Sequence, residues 1–159
     1  SDNFIIIIII IIIVAVCSNS NPTPQCDTAN GWEQYGSNCY KLNSQLRKSW
    51  IAARTDCVME GGDLVSIQSA AEQQYVISPT SDVWIGLNDL EFSDYLWSDG
   101  SALSHTNWGP GEPNDHAGRE NCVELVTTQN GSSYWNDIFC DCHKPQSEST
   151  GPLFALFLA

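Results

Sequence analysis

The chain has 159 residues, of which 19 are Asp or Glu and only 6 are Lys or Arg, so its formal net charge is -13. This length suits one domain with a hydrophobic core and short extensions. Because nucleic acids and anionic membrane surfaces attract clustered basic residues, both are poor partners for this chain, and cations are better ones.

The N-terminal segment is strongly apolar, since Phe4 is followed by nine isoleucines and then by residues 14–16, Val-Ala-Val. It is too short for a transmembrane helix, which needs about 20 apolar residues. A signal-peptide core is one interpretation. The other, which we favour, is a strand through which chains assemble, because isoleucine strongly favours β-structure. We therefore separate an apolar segment, residues 1–17, from a linker, residues 18–25.

The next segment predicts alternating short elements. Residues 26–45 suggest a hairpin. Residues 49–59 have helical spacing with Trp50, Ala53 and Cys57 on one face, and two glycines follow. The pattern then predicts a strand over residues 64–67, a helix capped by Ser69 and Glu72, and a buried strand over residues 83–87.

Regular patterning stops between residues 88 and 121, where Gly, Pro, Asp and Asn dominate. A loop of this length in a compact domain is usually functional. A strand resumes over residues 122–126, and Asn130-Gly131-Ser132 is both a turn and a glycosylation sequon. Four tryptophans flank the loop, and we assign them to the core rather than to sugar stacking: Trp84, Trp97, Trp108 and Trp135.

Five side chains near the end of this loop offer hard oxygen ligands: Glu112, Asn114, Glu120, Asn136 and Asp137. Calcium binds about six to eight such oxygens from carboxylates, amide carbonyls and the backbone. Five side chains and one backbone carbonyl would leave room for about two oxygens from a ligand. The sequence therefore predicts a calcium ion as cofactor, with two neighbouring sugar hydroxyls completing its coordination.

Between residues 26 and 145 the chain resembles a C-type lectin domain. The resemblance rests on the order of short motifs, which include Gly31-Trp32, Cys39-Tyr40, Trp84-Ile85-Gly86-Leu87, Glu112-Pro113-Asn114 and Trp135-Asn136-Asp137. It implies an α+β fold in which two helices flank antiparallel sheets and a long calcium-binding loop region. The Glu-Pro-Asn motif implies a cis bond before Pro113 and a preference for mannose, fucose, glucose or N-acetylglucosamine.

The resemblance also implies roles for single residues. The sugar would contact Glu112, Asn114, Glu120 and Asn136, with Glu112 paired with Asn114 and Glu120 paired with Asn136 as acceptor and donor. His116 would either pack on the sugar or stay solvated. An auxiliary calcium is expected at Asp89, Asp115 and Glu120, with Ser93 or Asp94 where a further acid would stand.

Seven cysteines indicate an oxidising compartment, and therefore a secreted, extracellular protein. The resemblance implies three disulfides, Cys26–Cys39, Cys57–Cys142 and Cys122–Cys140, and leaves Cys17 unassigned. Only one residue separates Cys140 from Cys142, where the family has an apolar strand. The sheet is therefore expected to lack a strand, and a neighbour's isoleucine segment would fill the opening. Residues 146–159 are predicted to be an apolar tail.

Together these features predict a secreted calcium-dependent lectin that self-associates for multivalent binding of mannose-like glycans. The alternative is a structural matrix or fibre protein that uses the same fold without binding sugar. A glycosidase would need Glu112 and Glu120 as its catalytic pair. Carboxylates committed to calcium lack the raised pKa of an acid catalyst, so we predict that the chain is not an enzyme.

Overall fold

The computed structural model describes residues 25–43, 47–77 and 82–142, together with the backbone of residues 153–158. The apolar N-terminal segment, the linker and Cys17 lie outside these residues, so the predictions made for them are not tested. Neither of the two helices in the described part has the length and apolarity needed to cross a membrane.

The first predicted helix is confirmed as α1, Trp50–Met59. The Ser49 hydroxyl caps it by accepting a hydrogen bond from the Ala52 amide at 3.3 Å. Its buried face carries Trp50, Ala53 and Cys57, as the spacing predicts. The Trp50 indole donates to the Ile85 carbonyl at 2.8 Å and so fixes the helix against the sheet.

The second helix, α2, is Ala70–Val76, and Ser69 caps it as predicted. The Ser69 hydroxyl accepts from the Glu72 amide at 3.1 Å. The Glu72 carboxylate turns back to the Gln68 amide at 2.8 Å and also accepts from the Tyr40 hydroxyl at 2.6 Å. This buried carboxylate therefore ties the start of α2 to the sheet.

In the described residues, eight strands form one sheet, in which the order of the main path is β1-β2-β8-β4-β6-β7, while β3 pairs with β8 and β5 with β4. The strands are β1 Glu33–Tyr35, β2 Asn38–Asn43, β3 Asp63–Leu64, β4 Val83–Asn88, β5 Leu96–Trp97, β6 Cys122–Thr127, β7 Ser133–Ile138 and β8 Leu153–Leu158. The β1–β2 pair is the hairpin predicted near the start of the domain. All pairings are antiparallel except β4 with β8.

Strand β8 corrects the prediction of an open sheet and an apolar tail. It lies between β2 and β4, with Tyr40 opposite Phe157 and Val83 opposite Leu153. Its sequence is a continuous apolar run, which is typical of a strand covered on both faces. The chain therefore fills the expected gap with its own C-terminal segment, which belongs to the sheet.

Two apolar clusters cover the two faces of the sheet. One contains Val83, Leu87, Val123, Leu125 and Trp135 among others. The second lies under α1 and includes Trp84, Cys57 and both partners of one disulfide. Trp84, Trp97 and Trp135 are buried, which confirms their assignment to the core, and the half-buried Trp108 packs against the first cluster.

Two of the three predicted disulfides are present, Cys26–Cys39 and Cys122–Cys140. The third prediction is wrong, because Cys57 and Cys142 are free thiols. Cys57 is fully buried on α1, whereas Cys142 sits in a tight turn in which its amide donates to the Phe139 carbonyl at 2.9 Å. Cys142 packs against the apolar cluster that contains Cys57, but the two thiols are not bonded.

Candidate functional site

The long loop between β4 and β6 is fastened to the edge strand β7 by backbone hydrogen bonds. The Trp135 amide donates to the Asn107 carbonyl at 2.8 Å, and the Gly109 amide donates to the Trp135 carbonyl at 2.9 Å. A Cβ atom on Gly109 would lie 2.4 Å from the Tyr134 ring, so only glycine allows this approach. The Glu112–Pro113 peptide bond is cis, as the resemblance implies.

Asp137 is the centre of the candidate site. Its side chain is 1% exposed, and its two oxygens accept hydrogen bonds from the backbone amides of Asn114 at 3.0 Å and Asp115 at 2.7 Å. Burial alone would raise the pKa of Asp137, but these amides, with Glu112 and Tyr95, outweigh it and lower the pKa. Asp137 is therefore held as a carboxylate under the loop.

Glu112 and Asn114 lie beside this carboxylate and contact each other. The Asn114 side-chain amide nitrogen donates a hydrogen bond to Glu112 Oε2 at 2.5 Å. Partial burial and a side-chain hydrogen bond with Asp137 raise the pKa of Glu112, although Asn114 opposes the shift. The carboxyl groups of Glu112 and Asp137 are close enough to favour a shared proton or a bound cation between them.

Glu120 joins the cluster from the end of the loop, where it is 9% exposed. Its carboxylate accepts from the His116 backbone amide at 2.9 Å, and its own amide donates to Asp115 Oδ1 at 3.2 Å. The His116 ring is exposed. All five predicted calcium ligands therefore lie on this loop or on its supporting strand β7. Hydrogen bonds, some of them through Asp115, join four of the five: Glu112, Asn114, Glu120 and Asp137.

Asn136 does not form the predicted pair with Glu120. Its amide nitrogen donates instead to Oε1 of Glu124 at 3.0 Å. Glu124 lies directly opposite Asn136 in the β6–β7 register and is 6% exposed. Burial raises the pKa of Glu124 to about 7, against the opposing effect of the Asn136 hydrogen bond. Sequence reasoning missed Glu124, although an acid between the apolar residues Val123 and Leu125 of a strand is a signal of a specific role.

Tyr95 is a second residue that sequence reasoning missed. Its hydroxyl lies 3.1 Å from Asp137 Oδ2 and 3.3 Å from the Glu120 carbonyl oxygen. Burial and the charges of Asp137 and Asp89 raise the pKa of Tyr95, so the hydroxyl stays a donor. Nothing in the local sequence pattern distinguishes it from the other aromatic residues of the loop.

The predicted auxiliary residues are only partly gathered. Asp115 and Glu120 are in contact, as described above, whereas Asp89 accepts from the Asn121 side chain at 2.9 Å. Ser93 and Asp94 are exposed on the loop. At the predicted sequon, Asn130 is exposed and its side-chain oxygen Oδ1 accepts from the Ser132 backbone amide at 3.1 Å within the turn.

The donor set fits a hard cation, because it consists of carboxylate and amide oxygens. Within the described ranges, no three His, Cys, Asp or Glu side chains form a ready metal cluster. The carboxylate oxygens of Asp137 and Glu120 face backbone amides, and Glu112 faces the Asn114 amide. Calcium would therefore replace some of these hydrogen bonds and relieve the repulsion between the acids.

The comparisons with known proteins identify the family to which the domain belongs. The Lectin C-type domain model matches residues 46–146. The versican core protein of Rattus norvegicus is 40% identical over 116 residues, which are 71% of this chain and only 4% of that protein. The chain thus spans a small part of its curated relative. Members of the matching family are carbohydrate-binding proteins and not enzymes, which confirms the prediction on catalysis.

Solved structures show the same fold. The C-type lectin CEL-I from Cucumaria echinata matches with a TM-score of 0.69 and 28% identity, over 86% of this chain and 99% of that one. The cow CD23 carbohydrate-recognition domain, solved in the presence of a GlcNAc2Man3 oligosaccharide, matches with a TM-score of 0.67 and 34% identity, over 84% and 93% of the two chains. The α+β assignment is confirmed, and the chain belongs to the C-type lectin domain family.

Proposed function

We propose that this domain is a calcium-dependent lectin for sugars with neighbouring hydroxyls of the mannose type. The ion would be held by the five predicted ligands, Glu112, Asn114, Glu120, Asn136 and Asp137. The observation that carries the proposal is the convergence of Glu112, Asn114 and Asp137, which puts two carboxyl groups and an amide in contact. When bound, calcium would supply a Lewis acid that accepts two hydroxyl oxygens directly.

The protein's own groups would then orient the sugar. A sugar hydroxyl on the ion still has one proton to donate and one lone pair to offer. The Glu112 carboxylate accepts the proton and the Asn114 amide nitrogen donates to the lone pair. Their contact at 2.5 Å in the free domain keeps this acceptor and donor side by side. The resemblance supports mannose-like ligands, since the galactose type carries Gln and Asp at these two positions.

The test is retention on immobilised mannose with calcium and with a chelator. The wild-type domain is expected to be retained with calcium and released by the chelator, while a galactose column retains little. The double variant Glu112→Gln with Asn114→Asp is the matched control, and it should reverse the preference between the two columns. Retention on mannose that the chelator does not change would contradict the proposal. If the wild-type domain binds none of the glycans tested with calcium present, the alternative of a structural matrix or fibre protein would be favoured.

Acid should release sugar and ion together. The raised pKa of Glu112 means that this carboxyl takes up a proton before an ordinary glutamate does. Since protons compete with calcium for the same oxygens, affinity is present above the pKa of Glu112 and is lost as the pH falls through it. Calcium titration at decreasing pH measures this, and an affinity independent of pH down to about 4 would argue against Glu112 as a ligand.

We also propose that the protein is secreted and self-associates. The two disulfides, Cys26–Cys39 and Cys122–Cys140, support an oxidising compartment. Because β8 fills the interior of the sheet, an isoleucine strand from a neighbour would have to pair with a strand that has a free edge, such as β1 or β7 at the ends of the main path. Deleting residues 4–16 is expected to leave monomers in light scattering. Assemblies that persist after the deletion would refute the role of that segment.

A further inference from the structure

Glu124 is a buried acid in the middle of the sheet that the proposed ligand set does not use. It lies on β6 opposite Trp84 of β4 on one side and Asn136 of β7 on the other. Its neighbours along the strand, Val123 and Leu125, pack in the apolar core. Burying a carboxyl group is unfavourable unless a hydrogen bond compensates for the lost hydration. The Asn136 side chain supplies such a hydrogen bond to Glu124.

The contact restricts the orientation of the Asn136 amide. In the observed contact Oε1 of Glu124 accepts from Asn136. In its charged form a carboxylate can only accept hydrogen bonds, whereas an amide has a donor nitrogen and an acceptor oxygen. Glu124 therefore selects the orientation in which Nδ2 faces it, at 3.0 Å, and Oδ1 faces away. Because Nδ2 carries two hydrogens, one N–H remains after the bond to Glu124 is made.

The selected orientation is the one that a hard cation and a sugar require. Calcium is bound by amide oxygen and not by amide nitrogen. A sugar hydroxyl on that ion needs a nearby N–H donor for its lone pair. The opposite amide orientation would direct the nitrogen toward the ion and the oxygen toward the Glu124 carboxylate, which is unfavourable at both ends.

We propose that Glu124 is a positioning residue, which holds the Asn136 amide so that Oδ1 faces the calcium ion and the second N–H faces the ligand. This inference rests on the proposed function, because it assigns Asn136 to the ion. It adds a residue that touches neither ion nor sugar and that acts through one hydrogen bond across the β6–β7 pair. Residues that orient metal ligands in this way typically change metal affinity by about 10- to 100-fold when they are altered.

Glu124→Gln tests the proposal with little change in side-chain volume. A glutamine can donate or accept, so it satisfies Asn136 in either orientation and removes the selection. We expect calcium affinity, measured by calorimetry, to fall about tenfold while the melting temperature in chelator does not fall. Glu72→Gln is the matched control, since Glu72 is also a buried acid but caps α2, and its variant should bind calcium as the wild type does.

Two further measurements separate orientation from general damage. In chelator, the side-chain amide NMR signals of Asn136 should shift and lose exchange protection in Glu124→Gln. Adding Asn136→Asp to that variant allows a hydrogen bond in the opposite direction, in which the glutamine at position 124 donates and the new carboxylate at position 136 accepts. We expect this double variant to regain calcium affinity relative to each single variant. Its sugar retention should stay weak because the N–H donor is lost.

The outcomes distinguish this inference from the function on which it rests. A wild-type domain that binds no calcium would overturn both the proposed function and the role of Glu124. A wild type that binds calcium, with Glu124→Gln matching its affinity and its Asn136 amide signals, would overturn only the positioning role. A loss of affinity that the double variant does not recover would also overturn it, because the orientation of one amide would not then explain the loss.

Discussion

The Tyr95 hydroxyl donates a hydrogen bond of 3.1 Å to Oδ2 of Asp137, so an aromatic residue of the long loop supports a carboxylate on strand β7. The same hydroxyl lies 3.3 Å from the Glu120 carbonyl oxygen. Two segments that carry proposed calcium ligands are thus held by a single side chain, before any ion is bound.

Replacing Tyr95 with phenylalanine should therefore weaken both the loop and the site. Removing one donor from a buried carboxylate costs about 1–2 kcal/mol of unfolding free energy, because two backbone amides still support Asp137. Chemical denaturation in chelator measures this, and calorimetry should show weaker calcium binding. Tyr75→Phe is the control, since the Tyr75 hydroxyl only reaches an exposed glutamate at 3.5 Å. Equal effects of the two variants would contradict the role assigned to Tyr95.

The helices and the proximity of Glu112 to Asn114 could be predicted because their signals are local. Ser49 and Ser69 each precede a helix and cap it through contacts with residues three positions further along the chain. Glu112 and Asn114 are two residues apart on one loop, so their contact depends little on the rest of the fold. The two confirmed disulfides follow from a resemblance that covers both partners of each bridge.

The features that sequence reasoning missed depend on pairings between distant segments. Strand β8 enters the sheet between β2 and β4, and an apolar run near the end of a chain does not reveal its neighbours. The contact of Asn136 with Glu124 depends on the register of two strands. Once that register is known, Glu124 lies directly opposite Asn136 and is its expected hydrogen-bond partner.

The burial of Glu124 predicts how stability depends on pH in the absence of calcium. Its pKa is raised from 4.5 to about 7, so the folded state binds a proton that the unfolded state releases. This contribution to stability is fully present below pH 4.5 and is lost as the pH rises through about 7. The shift corresponds to about 3 kcal/mol over that interval.

Denaturation in chelator across this pH range checks the prediction. The wild type should lose stability between the two pKa values relative to Glu124→Gln, which carries no titrating group at this position. Glu72→Gln serves as the comparison for removing a buried acid elsewhere. Parallel pH profiles for the wild type and Glu124→Gln would show that burial does not disfavour the charged form of Glu124.

The close approach at Gly109 predicts a steric effect on the loop. Alanine at this position would bring its Cβ atom to 2.4 Å from the Tyr134 ring, so either the ring or the loop must move. We expect a loss of about 1–3 kcal/mol of unfolding free energy and weaker calcium binding. Gly131→Ala is a useful control, because Gly131 has φ 80° but no atom near its added Cβ. That variant should lose about 1 kcal/mol and keep its calcium affinity.

The two free thiols of the described part differ in accessibility, and this predicts their order of modification. Cys57 is fully buried on α1, whereas Cys142 is half-buried in the turn after β7. Burial raises the pKa of both thiols, so each is a poor nucleophile at neutral pH. We expect Cys142 to be alkylated before Cys57 in the native protein, and Cys57 to react at the rate of unfolding. Peptide mapping by mass spectrometry measures both, and a crosslinked peptide that joins Cys57 to Cys142 would contradict the free thiols and restore the pairing that the resemblance implies.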